Sequence, residues 1–254
     1  MKLLAFDTST EVMSIAVAHG AQLWQHTGAG GAQASGTLIP AILALLAQAG
    51  LALPELDAIA FGRGPGSFTG LRTACSVAQG LAFGASAKRG SDAQSAHVEV
   101  LPVDTLMAVA EEARWHGGAT RVRAMLDARM DEIYIADYEF KSNQWSIDGD
   151  LELISSRNLR ARAGWTLAGH GFAEADARLP VGAPWLAALP TATAMLRLAP
   201  ALLAAGRAVP AEQALPLYVR NKVAKTTDER AAERAALTPA GGTAAADLSL
   251  RPSP

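Results

Sequence analysis

Short apolar runs separated by polar turns dominate the first part of the chain. The runs are "KLLAF", "MSIAVA" and "QLWQH", and they are followed by "DTST", "HGA" and "TGAGG". This pattern predicts three short strands joined by tight turns, with Asp7 at the first bend. The chain is therefore expected to begin with a β-meander that has a polar first corner.

The next segment has helical periodicity. In "SGTLIPAILALLAQAG" apolar residues recur at intervals of three and four from Leu38 to Ala49, and Gly50 stands where a helix C-terminal glycine belongs. A fourth strand, "LDAIAF", then leads through a glycine-rich turn into a second helix, predicted from about Thr69 to Phe83. The pattern thus changes from strands to helices within one block.

A second block repeats this change. "VEVLPV" predicts a strand, Asp104 is the expected N-cap of a helix, and "RVRAMLDARMDEIYIADYEF" predicts two strands around a turn at Ala128 to Asp131. Further strands are predicted near "LELI" and "WTLAGH", and a helix near "TATAMLRLA" should stop or kink at Pro200. Two strand-rich blocks that lead into helices indicate two lobes of related topology.

Two segments lack periodicity. Residues Gly84 to Glu99 are polar and contain glycine and serine, so they predict a mobile surface loop or insertion. The end of the chain is rich in alanine, proline and charge, and disorder is expected after Leu237.

Composition restricts the function classes. The 254 residues are 50% apolar and 18% charged, which is ordinary for a soluble globular protein, and the net charge is −2. The basic residues are scattered, so the chain lacks the basic stripe of a protein that holds nucleic acid alone. Cys75 is the single cysteine, which excludes an intramolecular disulfide. The longest apolar run is about half the ~20 residues that a membrane-spanning helix needs, so a cytoplasmic protein without a membrane partner is expected.

The turn "GRGPGSFTG" is the first candidate for chemistry. A strand, glycine loop and helix in succession can bind phosphate, but this turn matches neither of the common nucleotide-binding glycine motifs. Glycines also allow close backbone approach without a ligand. A nucleophile elbow around Ser67 would need glycines where Pro65 and Thr69 stand, and the histidines have no metal-binding spacing. No catalytic residue and no metal site are predicted.

The two helices of the first block are a candidate interaction surface. On the second helix a column of small residues is flanked by larger apolar ones, and the first helix carries a wide apolar stripe. An exposed patch of this kind marks a protein interface. The predicted interface residues are Leu38, Ile39, Ile42, Leu45, Leu46, Gly70, Ala74, Val77, Ala78 and Leu81.

Four segments together resemble the bacterial TsaB family, also called YeaZ. They are "LLAFDTSTEVMSIAV", "GRGPGSFTGLRTACSVAQGLAFG", "DARMDEIYIADY" and "PLYVRNKVAKTTDER". The resemblance implies an α/β protein with the two-lobed sugar-kinase, Hsp70 and actin (ASKHA) fold, in which each lobe is a mixed β-sheet flanked by helices. It implies an N-terminal lobe of residues 1–103 completed by about 200–225, a C-terminal lobe of residues 104–199, and a partly disordered tail of residues 226–254.

The resemblance also implies a function. Family members are non-catalytic scaffold subunits that bind the catalytic subunit TsaD together with the ATPase TsaE, in synthesis of threonylcarbamoyladenosine at position 37 of tRNA. The implied contact with tRNA is indirect, through the complex, and the chain alone is expected to form a homodimer. The catalytic relative has a histidine pair on its first long helix, whereas this chain has "GGAQASGTLIPAI" there.

Nucleotide binding stays open at this point. Asp7 stands where ATP-using members of the wider fold keep a metal-associated carboxylate, although "FDTST" lacks the glycine that usually follows. The nucleotide candidates are Asp7, Thr8, Ser9, Gly64, Gly66 and Ser67. ATP or ADP at the subunit contact is therefore an expectation, and an ATP-dependent phosphotransferase or ATPase is the alternative function. A metallopeptidase is the less favoured alternative, because the chain has neither a plausible nucleophile nor a metal site.

Overall fold

A computed structural model of the chain describes residues 1–89, 97–172 and 178–219. Residues 1–219 belong to one compact unit that is built on two mixed β-sheets flanked by helices. The predicted tail of residues 226–254 lies outside the described residues. The same holds for residues 90–96 of the predicted loop.

The first sheet has the strand order β3-β2-β1-β4-β5. Its strands are β1 Lys2–Asp7, β2 Val12–His19, β3 Gln22–Ala29, β4 Ala58–Gly64 and β5 Glu99–Asp104. The first three strands form the predicted antiparallel meander, while β4 pairs with β1 and β5 pairs with β4 in parallel. Two helices lie among these strands in the sequence: α1 Leu38–Gln48 follows β3, and α2 Phe68–Arg89 connects β4 to β5.

The second sheet has the order β11-β10-β6-β7-β8, and β9 pairs with β7. Its strands are β6 Arg121–Arg129, β7 Glu132–Lys141, β8 Gln144–Ile147, β9 Glu152–Ser155, β10 Thr166–His170 and β11 Trp185–Ala187. The turn predicted at Ala128 to Asp131 joins β6 to β7, and three of its residues have positive φ. Two further helices are α3 Thr105–Gly117, which precedes β6 in the chain, and α4 Ala192–Ala204, which follows β11.

The first sheet is covered on both faces. Leu4 and Phe6 of β1 pack in one cluster with buried residues of α1 and α2, and Leu3 and Ala5 pack in another cluster that contains Met195 of α4. This division follows from the alternation of side chains along a strand. The helix α3 packs mainly on the second sheet and also contacts α4, so these two helices connect the sheets.

The structure corrects two predicted element ends. The helix α2 continues to Arg89, where a loop was predicted from Gly84, and Ala85 is fully buried in the core. The helix α4 runs through Pro200 to Ala204. An internal proline costs about 3 kcal/mol or more, and the buried residues of α4, including Met195 and Leu198, supply compensating contacts with the first sheet.

Two further details concern α3 and α4. Asp104 occupies the N-cap position of α3 as predicted, but its side chain makes no capping bond and instead accepts a hydrogen bond from Arg63 Nε at 2.5 Å. The predicted lobe boundary at residue 199 falls inside α4, which packs on β1, β2 and β4. In the structure the whole of this helix thus belongs with the first sheet.

Candidate functional site

The glycine turn packs directly against the corner between β1 and β2. A Cβ atom on Gly70 would lie 1.9 Å from the carbonyl oxygen of Thr8, and one on Gly66 would lie 2.6 Å from Cβ of Ser9. The Thr8 hydroxyl donates to the carbonyl of Gly70 at 2.7 Å, and the backbone N–H of Ser67 donates to the carbonyl of Ser9 at 2.7 Å. Only residues without a side chain allow the two backbone segments to come this close. The glycines of the turn therefore permit direct packing of the turn against the corner between β1 and β2.

Asp7 is fully buried beneath this contact. Its Oδ1 accepts hydrogen bonds from the N–H of Ser9 at 2.8 Å and from the Ser9 hydroxyl at 2.6 Å. Its Oδ2 has no hydrogen-bond partner among the described residues, and a Cβ on Gly62 would lie 1.8 Å from it. Burial raises the pKa of Asp7 to about 6, although the hydrogen bonds from Ser9 oppose this shift.

The six nucleotide candidates do not surround an open space. Asp7 and Thr8 have no exposed surface, and Ser9 is 3% exposed. Gly64 is also buried, since a Cβ on it would lie 2.6 Å from the carbonyl oxygen of Leu217, whereas Ser67 is exposed. Asp7, Thr8, Ser9 and Gly64 are thus enclosed by the chain itself, while Gly66 and Ser67 keep exposed surface. Binding of ATP or ADP at a subunit contact stays a prediction.

The end of the described chain is fastened to the same region. Leu217 donates its N–H to the carbonyl of Arg63 at 2.7 Å, and the carbonyl of Ala214 accepts from Gln79 Nε2 at 2.9 Å. The Tyr218 ring lies 5.4 Å from the ring of Phe68, and its hydroxyl accepts from Arg72 Nε at 3.0 Å. We call residues 214–218 the strap, because they tie α2 to β4.

The predicted interface residues lie almost entirely inside the protomer. Eight of them are buried: Leu38, Ile42, Leu45, Leu46, Gly70, Ala74, Ala78 and Leu81. Val77 is partly buried, and Ile39 is 43% exposed. The choice of the buried residues was wrong because apolar periodicity identifies the face that a helix turns toward its own sheet.

The same helices also carry four exposed apolar side chains, of which only Ile39 was among the predicted interface residues. Ile39 and Leu43 of α1 are 43% and 47% exposed, and Phe68 and Phe83 of α2 are 43% and 58% exposed. Sequence reasoning missed Leu43, Phe68 and Phe83; the spacing of four residues between Ile39 and Leu43 was the available signal. We call these four side chains the exposed helical face.

A shallow groove adjoins this face. It has a volume of about 410 Å³ and lies between α2 and Ser35 of the 3₁₀ helix Gly31–Gly36 that precedes α1. Its other lining residues on α2 include Thr69, Thr73 and Ser76. Small side chains allow the backbone of a neighbouring helix to approach closely, and large exposed apolar side chains mark interaction surfaces.

The part of the chain that the structure describes contains no candidate metal cluster and no candidate membrane span. No group of three or more His, Cys, Asp or Glu residues there could hold a metal ion. No helix in the same residues is long and apolar enough to cross a membrane. Cys75 is buried, its thiol lies 3.2 Å from the carbonyl oxygen of Ala214, and burial raises its pKa.

Comparison with known proteins decides the family. The chain is 34% identical over 237 residues to the tRNA threonylcarbamoyladenosine biosynthesis protein TsaB of Escherichia coli, an alignment that covers 88% of this chain and 96% of that protein. It is 32% identical over 241 residues to TsaB of Haemophilus influenzae, covering 88% and 95% respectively. The chain belongs to the TsaB family. The predicted family is thereby confirmed.

Related structures agree with this assignment. YeaZ from Pseudomonas aeruginosa is 37% identical and superposes with a TM-score of 0.73, covering 85% of this chain and 99% of that one. Residues 31–154 also match the family model of TsaD, described as tRNA N6-adenosine threonylcarbamoyltransferase. Together with the two helix-flanked mixed sheets, these similarities confirm the predicted two-lobed ASKHA fold for this TsaB-family chain.

Proposed function

We propose that this chain is a non-catalytic scaffold subunit in the synthesis of threonylcarbamoyladenosine at position 37 of tRNA. In this role it binds and activates the catalytic subunit TsaD, together with TsaE, in the cytoplasm. The names of the TsaB relatives support the pathway. The observation that carries the scaffold role is the exposed helical face, which offers a binding surface where the glycine turn offers no open site.

The match to the TsaD family model suggests how such a partner would dock. Because residues 31–154 include α1 and α2, a TsaD partner would present corresponding helices to this face. Two related surfaces can then pack around an approximate two-fold axis. The same geometry would produce a homodimer when the chain is alone, so homodimer and mixed complex would compete for one surface.

The energetics are compatible with a specific contact. Completely burying a large apolar side chain contributes about 1.5–3 kcal/mol, and each residue of the exposed helical face is already roughly half covered. Four such residues would therefore contribute a few kcal/mol, and the rest of a standard interface of about 1,600 Å² would come from the surrounding small side chains. A net charge of −2 fits a subunit that reaches tRNA indirectly, through its partners.

The test is complex formation with TsaD from the same organism, measured by size-exclusion light scattering and titration calorimetry. Leu43→Arg and Phe83→Arg should each weaken the complex by at least about 100-fold, because each would bury an unpaired charge. Ile147→Arg is the matched control, since Ile147 is 45% exposed and lies on β8 of the second sheet. Equal binding by all three variants would place the TsaD contact elsewhere.

Nucleotide at the subunit contact is tested in the same experiment. Titration of Mg-ATP or Mg-ADP into the isolated chain, into isolated TsaD and into their complex separates a site on one subunit from a site shared by both. Binding to the complex alone supports a shared site. Binding to the isolated chain with micromolar affinity would favour the alternative ATPase or phosphotransferase function.

A further inference from the structure

A separate cavity lies between α3, α4, the end of β5 and the hairpin of β7 and β8. It has a volume of about 440 Å³, and its lining includes no residue of the glycine turn or of the exposed helical face. Cavities that bind small molecules typically measure about 300–1,000 Å³ and combine apolar walls with a few fixed polar groups. This cavity has both components, and neither is used by the proposed scaffold function.

The apolar part is an aromatic wall with an aliphatic floor. The ring centroids of Phe140 and Trp145 lie 5.1 Å apart, and Met107, Leu198 and Leu202 line the space beside them. The Trp145 ring is fixed in place because its Nε1 donates to Glu111 Oε2 at 3.0 Å. A flat organic group would find both stacking and aliphatic contacts here.

The cationic part is held by buried carboxylates. Glu111 is 2% exposed, and its two oxygens accept from Arg114 Nε and Nη2 at 2.9 Å each and from Arg197 Nε at 2.9 Å. Arg197 Nη2 also donates to Glu112 at 2.7 Å. The Nη1 group of each arginine makes no hydrogen bond within the described residues, so each guanidinium keeps donors in a fixed orientation.

The charges that line the cavity define the ligand. The lining contains three cationic side chains, Arg114, Arg197 and Arg207, and two anionic ones, Asp104 and Glu111. Asp104 is additionally paired with Arg63 outside the cavity. Glu111 and Glu112 neutralise Arg114 and Arg197, so the one positive charge of the lining without an anionic partner among the described residues is that of Arg207. One carboxylate would neutralise this charge, and a dianionic phosphate would exceed it.

We infer that this cavity binds a small organic carboxylate with a flat apolar body. The body would stack against Phe140 and Trp145, and the carboxylate would accept from the free guanidinium donors, in the planar geometry that arginine favours. Asn143 and Gln144, at the tip of the hairpin, line the same cavity and would offer amide hydrogen bonds. The inference is independent of whether the chain binds TsaD.

The test uses the full-length chain and three related probes in titration calorimetry. The probes are 2-naphthoate, its neutral analogue 2-naphthamide, and 2-naphthyl phosphate. We expect 2-naphthoate to bind with a Kd below about 1 mM, and the amide and the phosphate to bind at least about 10-fold more weakly. Arg207→Glu, at an exposed position, and Ala205→Trp, which fills part of the cavity, should each weaken 2-naphthoate binding by about 10-fold or more.

Arg157→Glu is the charge-matched control, because Arg157 is exposed and does not line the cavity. Equal affinity for 2-naphthoate and 2-naphthamide on the wild-type chain would overturn the proposal, as would no heat of binding up to about 5 mM 2-naphthoate. Unchanged binding in both cavity variants would overturn it as well. Melting temperatures of the variants identify any loss of 2-naphthoate binding that arises from unfolding. The comparison of the three probes on the wild-type chain does not depend on the variants.

Discussion

The substitution Asp7→Asn provides a direct test of the buried corner beneath the glycine turn. Asparagine keeps an oxygen that can accept from Ser9, and it cannot ionise. Burial raises the pKa of Asp7 from 3.8 to about 6, so the folded chain holds this proton more tightly than the unfolded chain does. Between these two values stability therefore falls as the pH rises, and above pH 6 the full penalty of a buried charge is present.

The size of the penalty follows from the shift. Raising the pKa to about 6 lowers the free energy of unfolding by about 3 kcal/mol at pH 7.5 and by about 1 kcal/mol at pH 4.5. The asparagine amide would in turn lack an acceptor beside Gly62, which costs about 1–2 kcal/mol at any pH. Asp7→Asn should therefore stabilise the chain by about 1–2 kcal/mol at pH 7.5 and leave its stability unchanged or slightly lower at pH 4.5.

The assay is urea denaturation of the wild type and the variant at both pH values, with Asp150→Asn as an exposed control. The expected signal is a change of about 2 kcal/mol in the effect of Asp7→Asn between the two conditions, against no change for the control. An effect that is the same at both pH values would refute the burial argument. Addition of Mg-ATP makes a second comparison, because a nucleotide held by Asp7 would stabilise the wild type and not the variant. From the burial of Asp7 we expect Mg-ATP to stabilise neither.

Three further predictions test the packing and the buried ionic contacts. In urea denaturation, Gly70→Ala should destabilise the chain by about 2–4 kcal/mol because its Cβ would overlap the Thr8 carbonyl. Gly80→Ala is the control in the same helix. Its Cβ would meet no atom within 4 Å, so it should be neutral or stabilising by up to about 1 kcal/mol. Ala78→Arg should destabilise the chain by more than about 4 kcal/mol because Ala78 is fully buried. Leu43→Arg should change the stability by no more than about 0.5 kcal/mol, because Leu43 is exposed. Thermal melts measure both, and equal melting temperatures of the two variants would contradict the assignment of inner and outer faces. Burial opposes ionisation of Glu111, but hydrogen bonds from Arg114, Trp145 and Arg197 outweigh it and lower its pKa. Glu111→Gln should thus cost about 3–5 kcal/mol at pH 7, a loss that shrinks as the pH falls below about 4.5, and a pH-independent loss would argue against an ionic role.

The sequence predicted the presence of most helices and strands better than it predicted the features that depend on tertiary contacts, such as where helices end. Alternation and helical spacing are local properties, and they identified β1 to β3, α1 and the hairpin of β6 and β7. The length of α2 beyond Gly84 and the passage of α4 through Pro200 depend on contacts with the first sheet, which local patterns do not contain. The short strands β8 and β11 were missed, although β9, which has four residues like β8, was predicted near "LELI". Segments of three or four residues carry so little periodicity that the pattern does not identify them consistently.

The candidate site shows the same limit. The glycines of the turn were identified, but their purpose depends on which atoms they approach, and these belong to Thr8 and Ser9 on another segment. Burial of Asp7 similarly depends on the close approach of Gly62, which belongs to the neighbouring strand β4 and not to the segment around Asp7. Eight of the ten predicted interface residues lie on the buried side of the helices, since a stripe of apolar residues does not reveal whether its partner is the chain's own sheet or another molecule.

The closed glycine turn and the open helical face are physically connected. Gly66 and Gly70 draw the start of α2 onto the corner of β1 and β2, and the strap fixes the same end through Tyr218 and Arg72. The start of α2 is thus held by the first sheet on one side and by the strap on the other, and Phe68 lies between that strap and the groove. A rigid helix start lowers the conformational entropy lost on docking, so affinity at the exposed helical face should depend on this anchoring as well as on the apolar contacts. Glycines that appear in the sequence as a candidate phosphate loop would then support partner binding by positioning α2.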